Sequence, residues 1–150
     1  MRVCIMLSSI AMGGMERNIV SVLPYLKDQG IDLSVCTLNT YRDGPLVEEF
    51  HKAGVRRFNL DAKSLPDPAA WRRLMMLLRE QQFDIVHAQD QDADVYGALA
   101  HLWLRIPTVM TRHVLEEPSD TLREAARARL VLWAARYGYD RIVTVSEAVR

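Results

Sequence analysis

Two adjacent glycines, Gly13 and Gly14, stand between a short apolar run and the first helical stretch of the sequence. At a helix N-terminus, glycines let backbone amides approach a phosphate or a sugar because no Cβ stands in the way. The motif continues through Met15 to Arg17, and it predicts a loop that contacts such a ligand. On spacing alone, an ordinary tight turn explains the two glycines at least as well.

His113 is the second candidate, because it directly follows a predicted strand that ends at Arg112. A neutral imidazole can hydrogen-bond a sugar hydroxyl, and a protonated imidazole can stabilise a leaving phosphate. A lone histidine is more often an ordinary loop residue, and His87, at the end of another predicted strand, is interpreted as structural. Asp90 and Asp92 could hydrogen-bond a polyol acceptor, although Asp92 serves equally well as a helix cap.

Several common site motifs are absent from the sequence. It has no Gly-x-x-x-x-Gly-Lys-Ser/Thr loop, no Gly-x-Gly-x-x-Gly after the first strand and no Gly-x-Ser-x-Gly. The four histidines lack the spacing of metal ligands. We therefore expect neither a bound metal nor a dinucleotide cofactor.

Composition narrows the class of protein. The chain has 150 residues, of which 49% are hydrophobic, and its 19 basic and 19 acidic residues cancel. This size fits one globular domain, and the charge balance argues against a nucleic-acid-binding protein. No apolar run is long enough for a spanning helix or a secretory signal, so we expect a cytoplasmic protein. Cys4 and Cys36 are then buried, reduced thiols, with a disulfide or a metal pair as the weaker alternative.

Short β-rich runs alternate with amphipathic helical stretches along the chain. This alternation predicts a Rossmann-like, doubly wound α/β fold, with a parallel sheet of about six strands and helices on both faces. The strands are predicted at 2–7, 32–38, 55–60, 84–88, 107–112 and 141–145, and the helices at about 15–29, 45–53, 68–82, 93–104 and 121–137. Two helices have predicted N-terminal caps, at Asp67 and Thr121. Because ligands of such sheets bind beyond the carboxyl ends of the strands, the candidate site is formed by the loops 8–14, 88–92 and 112–118.

Four segments of the chain form a recognisable pattern when they are taken in order. They are Gly-Gly-x-Glu-Arg at 13–17, Asp-Ile-Val-His-Ala at 84–88, Ile-Pro-Thr-Val-Met-Thr-Arg-His at 106–113 and Ile-Val-Thr-Val-Ser-Glu at 142–147. Each motif is weak alone, but the four in register resemble the N-terminal domain of family 4 GT-B glycosyltransferases, the retaining, metal-independent type. The resemblance covers essentially the whole chain, 1–150.

This resemblance implies roles for individual residues. It assigns His113 as catalytic, a donor-phosphate and acceptor loop of Gly13, Gly14, Met15 and Arg17, and an acceptor-binding set of Gln89, Asp90, Gln91 and Arg112. The histidine would contact the donor sugar. Transfer would retain the anomeric configuration without a protein nucleophile, because the departing phosphate helps to deprotonate the incoming hydroxyl.

The resemblance also implies the partners of the chain. The donor would be a nucleotide-diphosphate sugar of the hexose type, and the acceptor a hydroxyl of a glycan or a lipid-linked molecule, with no metal or other cofactor. The nucleotide pocket and a Glu-x₇-Glu motif belong to the family's C-terminal donor-binding domain, which is absent from these 150 residues. The chain alone is therefore expected to be inactive. Met15 replaces the small residue usual after the glycines, which would narrow the acceptor mouth.

Other interpretations stay open. The chain could be a stand-alone, non-catalytic module that binds a glycan or a partner protein, or a flavodoxin-like or other nucleotide-binding domain. Two basic helices could contact the inner face of a membrane peripherally, although an ordinary solvated basic face is the favoured interpretation. Their arginines are Arg72, Arg73, Arg79, Arg123, Arg127, Arg129 and Arg136.

Overall fold

The computed structural model describes residues 1–113 and 121–145. Within these ranges, strands and helices alternate in the order β1 (Arg2–Leu7), α1 (Gly14–Asp28), β2 (Asp32–Thr37), α2 (Leu46–Lys52), β3 (Arg56–Asn59), α3 (Pro68–Gln81), β4 (Ile85–Ala88), α4 (Gln91–Leu104), β5 (Thr108–Arg112), α5 (Leu122–Tyr137) and β6 (Arg141–Thr144). The six strands form one sheet in which all neighbours are parallel. The predicted Rossmann-like α/β fold is confirmed.

The direction of the winding reverses beside β1, since the strand order is β3-β2-β1-β4-β5-β6. β1 pairs with β2 from Arg2 and Asp32 onward, and with β4 from Val3 and Ile85 onward. The chain therefore adds β2 and then β3 on one side of β1, crosses back, and adds β4, β5 and β6 on the other side. Such a reversal leaves a crevice at the carboxyl ends of the two central strands. The three predicted site loops follow β1, β4 and β5, so all of them begin at this edge.

Successive residues of β1 face opposite layers of the molecule. Val3, Ile5 and Leu7 pack with residues of α1 and α2, whereas Cys4 and Met6 pack with residues of α3 and α4. Both faces of the sheet are covered, which explains why β1 is an almost continuous apolar run rather than an alternating one.

Both cysteines lie in the layer covered by α3 and α4. Cys4 and Cys36 are fully buried and free. A hydrogen bond with Cys36 and burial raise the pKa of the Cys4 thiol, so it stays protonated. The prediction of two buried, reduced thiols is confirmed.

Side-chain caps fix the starts of two helices. The carboxylate of Asp67 accepts hydrogen bonds from two backbone amides of α3, at 2.9 and 3.1 Å. At α5 the hydroxyl of Thr121 accepts from the amide of Glu124 at 3.2 Å, and the Glu124 carboxylate accepts from the amide of Thr121 at 3.1 Å. Both predicted caps are confirmed, and the second is a reciprocal capping box.

Two other helices begin earlier than predicted. α1 starts at Gly14, one residue early, and α4 starts at Gln91, two residues early. In α4 the reason is that Asp90, and not Asp92, is the cap: its carboxylate accepts a hydrogen bond from the amide of Ala93 at 3.0 Å. Gln91 and Asp92, predicted as loop residues, therefore form the first turn of α4.

Glycines allow α4 and α5 to pack closely. A Cβ on Gly138 would collide with Ala98, and a Cβ on Gly97 would collide with the hydroxyl of Tyr139. The φ of Gly138 is −109°, so this glycine is required by the contact and not by a left-handed backbone. The Tyr139 hydroxyl in turn donates a hydrogen bond to the carbonyl of Asp94 at 2.6 Å, which ties the start of α4 to the end of α5.

β6 lies at the edge of the sheet. In the described part of the chain it pairs with β5 alone, and Ile142 and Val143 are each 47% exposed. Among the helices of residues 1–113 and 121–145, none has both the length and the apolar character needed to cross a bilayer.

Candidate active site

A cleft of about 1360 Å³ opens at the carboxyl ends of β1, β4 and β5. Its walls come from the loops after β1, β2 and β3, the start of α4, the end of β5 and the first half of α5. The structure brings together, around this one cleft, six of the predicted site residues: Met15, Gln89, Asp90, Gln91, Arg112 and His113.

Three other predicted residues do not line the cleft. Gly13 is half-buried and Gly14 is exposed at the first position of α1, and the side chain of Arg17 is exposed as well. Neighbouring residues of a helix point about 100° apart, so the inward direction of Glu16 turns Arg17 away. Residues 114–118 of the third loop and the end of the motif at 142–147 lie outside the described residues.

Glu16 occupies space that Gly13 leaves open. The Glu16 side chain is buried, its Oε1 accepts a hydrogen bond from the amide of Ala11 at 3.3 Å, and its Oε2 would lie 2.5 Å from a Cβ on Gly13. Gly13 has a φ of −106° and Gly14 is helical, so neither glycine forms a left-handed turn. The carboxylate folds back over the N-terminus of α1, where a negative charge is stabilised, and a Cβ on Gly13 would require its Oε2 to shift.

Asp90 connects the loop after β1 with the start of α4, which follows β4. Its Oδ2 accepts from the amide of Ser8 at 2.5 Å, and its Oδ1 accepts from the Ser8 hydroxyl at 2.6 Å and from the amide of Ala93 at 3.0 Å. These three bonds occupy most of the acceptor capacity of the carboxylate. Asp90 lines the cleft, but its main role is to hold the β1 loop against the start of α4.

A chain of hydrogen bonds runs behind His113. Its Nε2 lies 2.8 Å from Oε1 of Gln89, the Gln89 Nε2 lies 3.1 Å from Nε2 of His87, and that nitrogen lies 2.7 Å from the Thr111 hydroxyl. An amide oxygen can only accept, and an amide NH₂ can only donate. With the Gln89 amide in this orientation, His113 carries its proton on Nε2, and the Gln89 NH₂ lies near both ring nitrogens of His87, 3.1 Å from Nε2 and 3.4 Å from Nδ1.

Both imidazoles in this chain favour the neutral form. Burial, helped by the charge of His113, lowers the pKa of His87 to about 4. Burial also lowers the pKa of His113, although the carboxylates of Asp90 and Glu16 oppose this shift. A neutral His113 is suited to hydrogen-bonding a hydroxyl, the first of the two roles that the sequence left open.

Two carboxyl groups of the cleft were not predicted as site residues. Glu16 stands three residues after the first glycine, the spacing of a capping glutamate, and that spacing could have identified it. Asp94 ends the alternating acidic series Asp90, Asp92, Asp94, the only available signal for it. Burial, with repulsion from Asp90 and Asp92, raises the pKa of Asp94 to about 8, although the guanidinium of Arg112 opposes this.

Arginines of the two basic helices are partly committed to internal contacts. Arg127 of α5 forms an ion pair with Asp92 at 2.7 Å, across the mouth of the cleft. Arg73 of α3 donates to the carbonyls of Leu60 and Asp61 at 2.6 and 3.0 Å. The side chain of Arg123 is not among those described.

Across residues 1–113 and 121–145, no three His, Cys, Asp or Glu side chains are grouped so as to hold a metal ion.

A model of glycosyltransferase family 4 matches residues 12–150. The chain belongs to glycosyltransferase family 4. No curated protein matches its sequence. Together with its fold, this match identifies the family 4 chain as an N-terminal GT-B glycosyltransferase domain, as the four sequence segments predict.

Solved structures share the fold of this family 4 domain at low sequence identity. HepE from Anabaena, in complex with UDP-glucose, has a TM-score of 0.75 and 20% identity, over 99% of this chain and 38% of its own. MurG from Acinetobacter baumannii has a TM-score of 0.65 and 15% identity, over 99% of this chain and 42% of its own. UDP-GlcNAc 2-epimerase from Methanocaldococcus jannaschii has a TM-score of 0.64 and 14% identity, over 99% of this chain and 40% of its own. The chain spans about two fifths of the length of these proteins.

Proposed function

We propose that this chain is the acceptor-side half of a retaining, nucleotide-sugar-dependent glycosyltransferase. It would help to transfer a hexose-type sugar to a hydroxyl of a glycan or lipid-linked acceptor. The observation that carries the proposal is the convergence of the β1 loop, the start of α4 and His113 on one cleft in a family 4 chain. The UDP-glucose complex of HepE supports a nucleotide-sugar donor, and the two-fifths coverage supports a C-terminal donor-binding domain elsewhere in the protein.

The proposed reaction assigns a role to each side of the cleft. The exposed start of α1, at Gly14 beside the cleft residue Met15, would meet the donor diphosphate through its free backbone amides. His113 hydrogen-bonds the transferring sugar, while Gln91 and Arg112 face the acceptor. The bond between the anomeric carbon and the phosphate oxygen breaks, and the acceptor oxygen bonds to that carbon on the same face. The departing phosphate takes the proton of the acceptor hydroxyl, so the proposal needs no metal and no protein nucleophile.

The test is product analysis with the complete protein. It is incubated with a panel of nucleotide-sugars and hydroxyl acceptors, with and without EDTA, and the anomeric configuration of the product is determined by NMR. We expect transfer with the configuration of the donor, undiminished by EDTA. Epimerisation of a UDP-sugar without an acceptor would contradict the proposal, and glycan binding without turnover would favour a stand-alone binding module.

The His113→Ala variant tests the proposed site directly. Loss of one hydrogen bond made in the transition state lowers kcat by about 10²-fold or more. Circular dichroism and Tm should be close to wild type, because His113 lies at a loop start and is only half-buried. Wild-type turnover in this variant would make His113 an ordinary loop residue.

We further propose a cytoplasmic location for the protein. Peripheral contact with the inner face of a membrane is the less favoured alternative, because Arg73 and Arg127 are used in internal contacts. Co-sedimentation of the protein with anionic lipid vesicles, and not with neutral ones, would reverse this preference.

A further inference from the structure

The floor of the cleft contains a carboxyl group with one unpaired oxygen, Oδ1 of Asp94. The side chain of Asp94 lines the cleft, yet the residue is only 3% exposed. Among the described residues, none makes a hydrogen bond to its Oδ1. A buried polar atom left unpaired destabilises the folded state, so its presence calls for an explanation.

The charged groups around Asp94 differ from it in this respect. Asp90, on the same helix, is bonded to the β1 loop, and Asp92 is paired with an arginine of α5. Arg112 approaches from the end of β5, and Tyr139, before β6, bonds the backbone carbonyl of Asp94 rather than its side chain. The fold therefore satisfies the carboxylates of Asp90 and Asp92 and leaves Oδ1 of Asp94, a residue that lines the cleft, unpaired.

The protonation state of Asp94 limits what it can bind. Because its pKa is raised to about 8, mainly by burial, the carboxyl group is largely neutral at neutral pH. A neutral carboxyl group offers one O–H donor and one carbonyl acceptor, the complement of a hydroxyl group. A cationic ligand would require the ionised form and would be repelled by the guanidinium of Arg112.

We propose that Asp94 and Arg112 form a subsite for a polyhydroxylated acceptor, in which Asp94 hydrogen-bonds the acceptor's hydroxyl groups from the floor of the cleft. The subsite rests on the proposed function only in naming the ligand as the acceptor. Asp94 is not among the residues that the sequence pattern assigned to acceptor binding. It makes the start of α4 a specificity-determining surface, since its carboxyl group selects hydroxyl groups over amines.

The first test compares the thermal stability of Asp94→Leu and wild type across pH. Asp94 ionises near 3.8 when unfolded and near 8 when folded, so wild type is most stable below about pH 4 and loses stability as pH rises to about 8. Asp94→Leu removes this loss. We expect equal Tm values near pH 4 and a higher Tm for the variant at pH 8. A variant that melts lower than wild type at every pH would show that Asp94 serves the fold, and would overturn the subsite.

The second test measures binding directly on the chain. The carboxyl ¹³C signal of Asp94 is followed by NMR during titration with myo-inositol, methyl glucoside and glucosamine. We expect the two neutral polyols to shift the signal while Asp94 stays protonated, and Asp94→Leu to weaken their binding by about tenfold. Asp94→Asn keeps a donor and an acceptor and should bind like wild type. Asp28→Leu, at an exposed position of α1, is the control for loss of a carboxylate.

Two outcomes of the binding test would overturn the subsite. One is the absence of any shift with the neutral polyols up to their solubility. The other is ionisation of Asp94 by glucosamine alone, which would indicate an amine ligand instead. In the complete protein, Asp94→Leu should raise KM for the acceptor and leave KM for the donor unchanged. If that protein transfers no sugar, the proposed function fails, but the NMR titration still decides whether the subsite exists.

Discussion

The imidazoles of His113 and His87 both contact one amide, the side chain of Gln89. Because an amide oxygen can only accept, the Gln89 Oε1 fixes the tautomer of His113 with its proton on Nε2. His113 then presents Nδ1 as an acceptor for a hydrogen bond from a sugar hydroxyl. Gln89 is therefore a positioning residue, since it acts on the donor sugar only through His113.

The predicted tautomers can be measured by ¹⁵N NMR of the imidazole rings. We expect the Nε2–H form for His113 at neutral pH. Gln89→Leu should leave His113 as a mixture of both tautomers. Gln91→Leu, which removes another amide of the same cleft, should leave both rings as in wild type. An Nδ1–H tautomer for His113 in the wild-type chain would contradict the proposed orientation of the amide.

A substitution of Gly14 can distinguish a role in ligand binding from a role in folding. A Cβ at this position would meet no atom within 4 Å, and the residue is helical without a positive φ. We expect Gly14→Val to change the free energy of unfolding by less than about 1 kcal/mol. It should nevertheless lower kcat/KM of the complete protein strongly, because the new side chain stands beside the amides that meet the donor phosphate.

Melting temperature and steady-state kinetics of Gly14→Val should be measured on the same preparation. Gly13→Ala is the informative comparison, because its Cβ would displace the buried carboxylate of Glu16 and should lower the stability. Unchanged kinetics in Gly14→Val would mean that Gly14 is only the first residue of a helix.

At the scale of the elements, the contact between α4 and α5 depends on Gly138. Because a Cβ there would collide with both the Cβ and the Cα of Ala98, Gly138→Ala should lower the free energy of unfolding by about 1–3 kcal/mol. Gly14→Ala is the matched control, since it adds the same methyl group in open space. It should leave the stability unchanged or raise it by up to about 1 kcal/mol. Equal urea midpoints for the two variants would contradict the close packing.

The strands were predictable from the sequence because each is a short run bounded by polar or glycine residues, and β1 was placed correctly at both ends. The start of α4 was not, because Asp90 and Asp92 are equally good caps by type. The choice depends on Ser8, which approaches Asp90 only once β1 and β4 are paired. The bond from His87 to Thr111 depends in the same way on the pairing of β4 with β5. Such contacts between distant segments are invisible to spacing and composition.

At the scale of the whole molecule, the proposed function places the nucleotide pocket in a C-terminal donor-binding domain and not in the cleft of this chain. We expect the purified chain to transfer no sugar from any nucleotide-sugar. Turnover should appear when the remaining part of the protein is added as a separate polypeptide. Robust transfer by the chain alone would contradict the two-domain proposal.

The position of β6 has a practical consequence for work with this chain. Within residues 1–113 and 121–145 no strand pairs with the outer edge of β6, and Ile142 and Val143 are exposed, so a second molecule can add its own strand there. Concentrated solutions of the chain should therefore self-associate, and analytical ultracentrifugation should show it. Val143→Lys places a charge on that edge and should keep the protein monodisperse. This variant, which lies outside the cleft, would be a suitable background for the long NMR measurements described above.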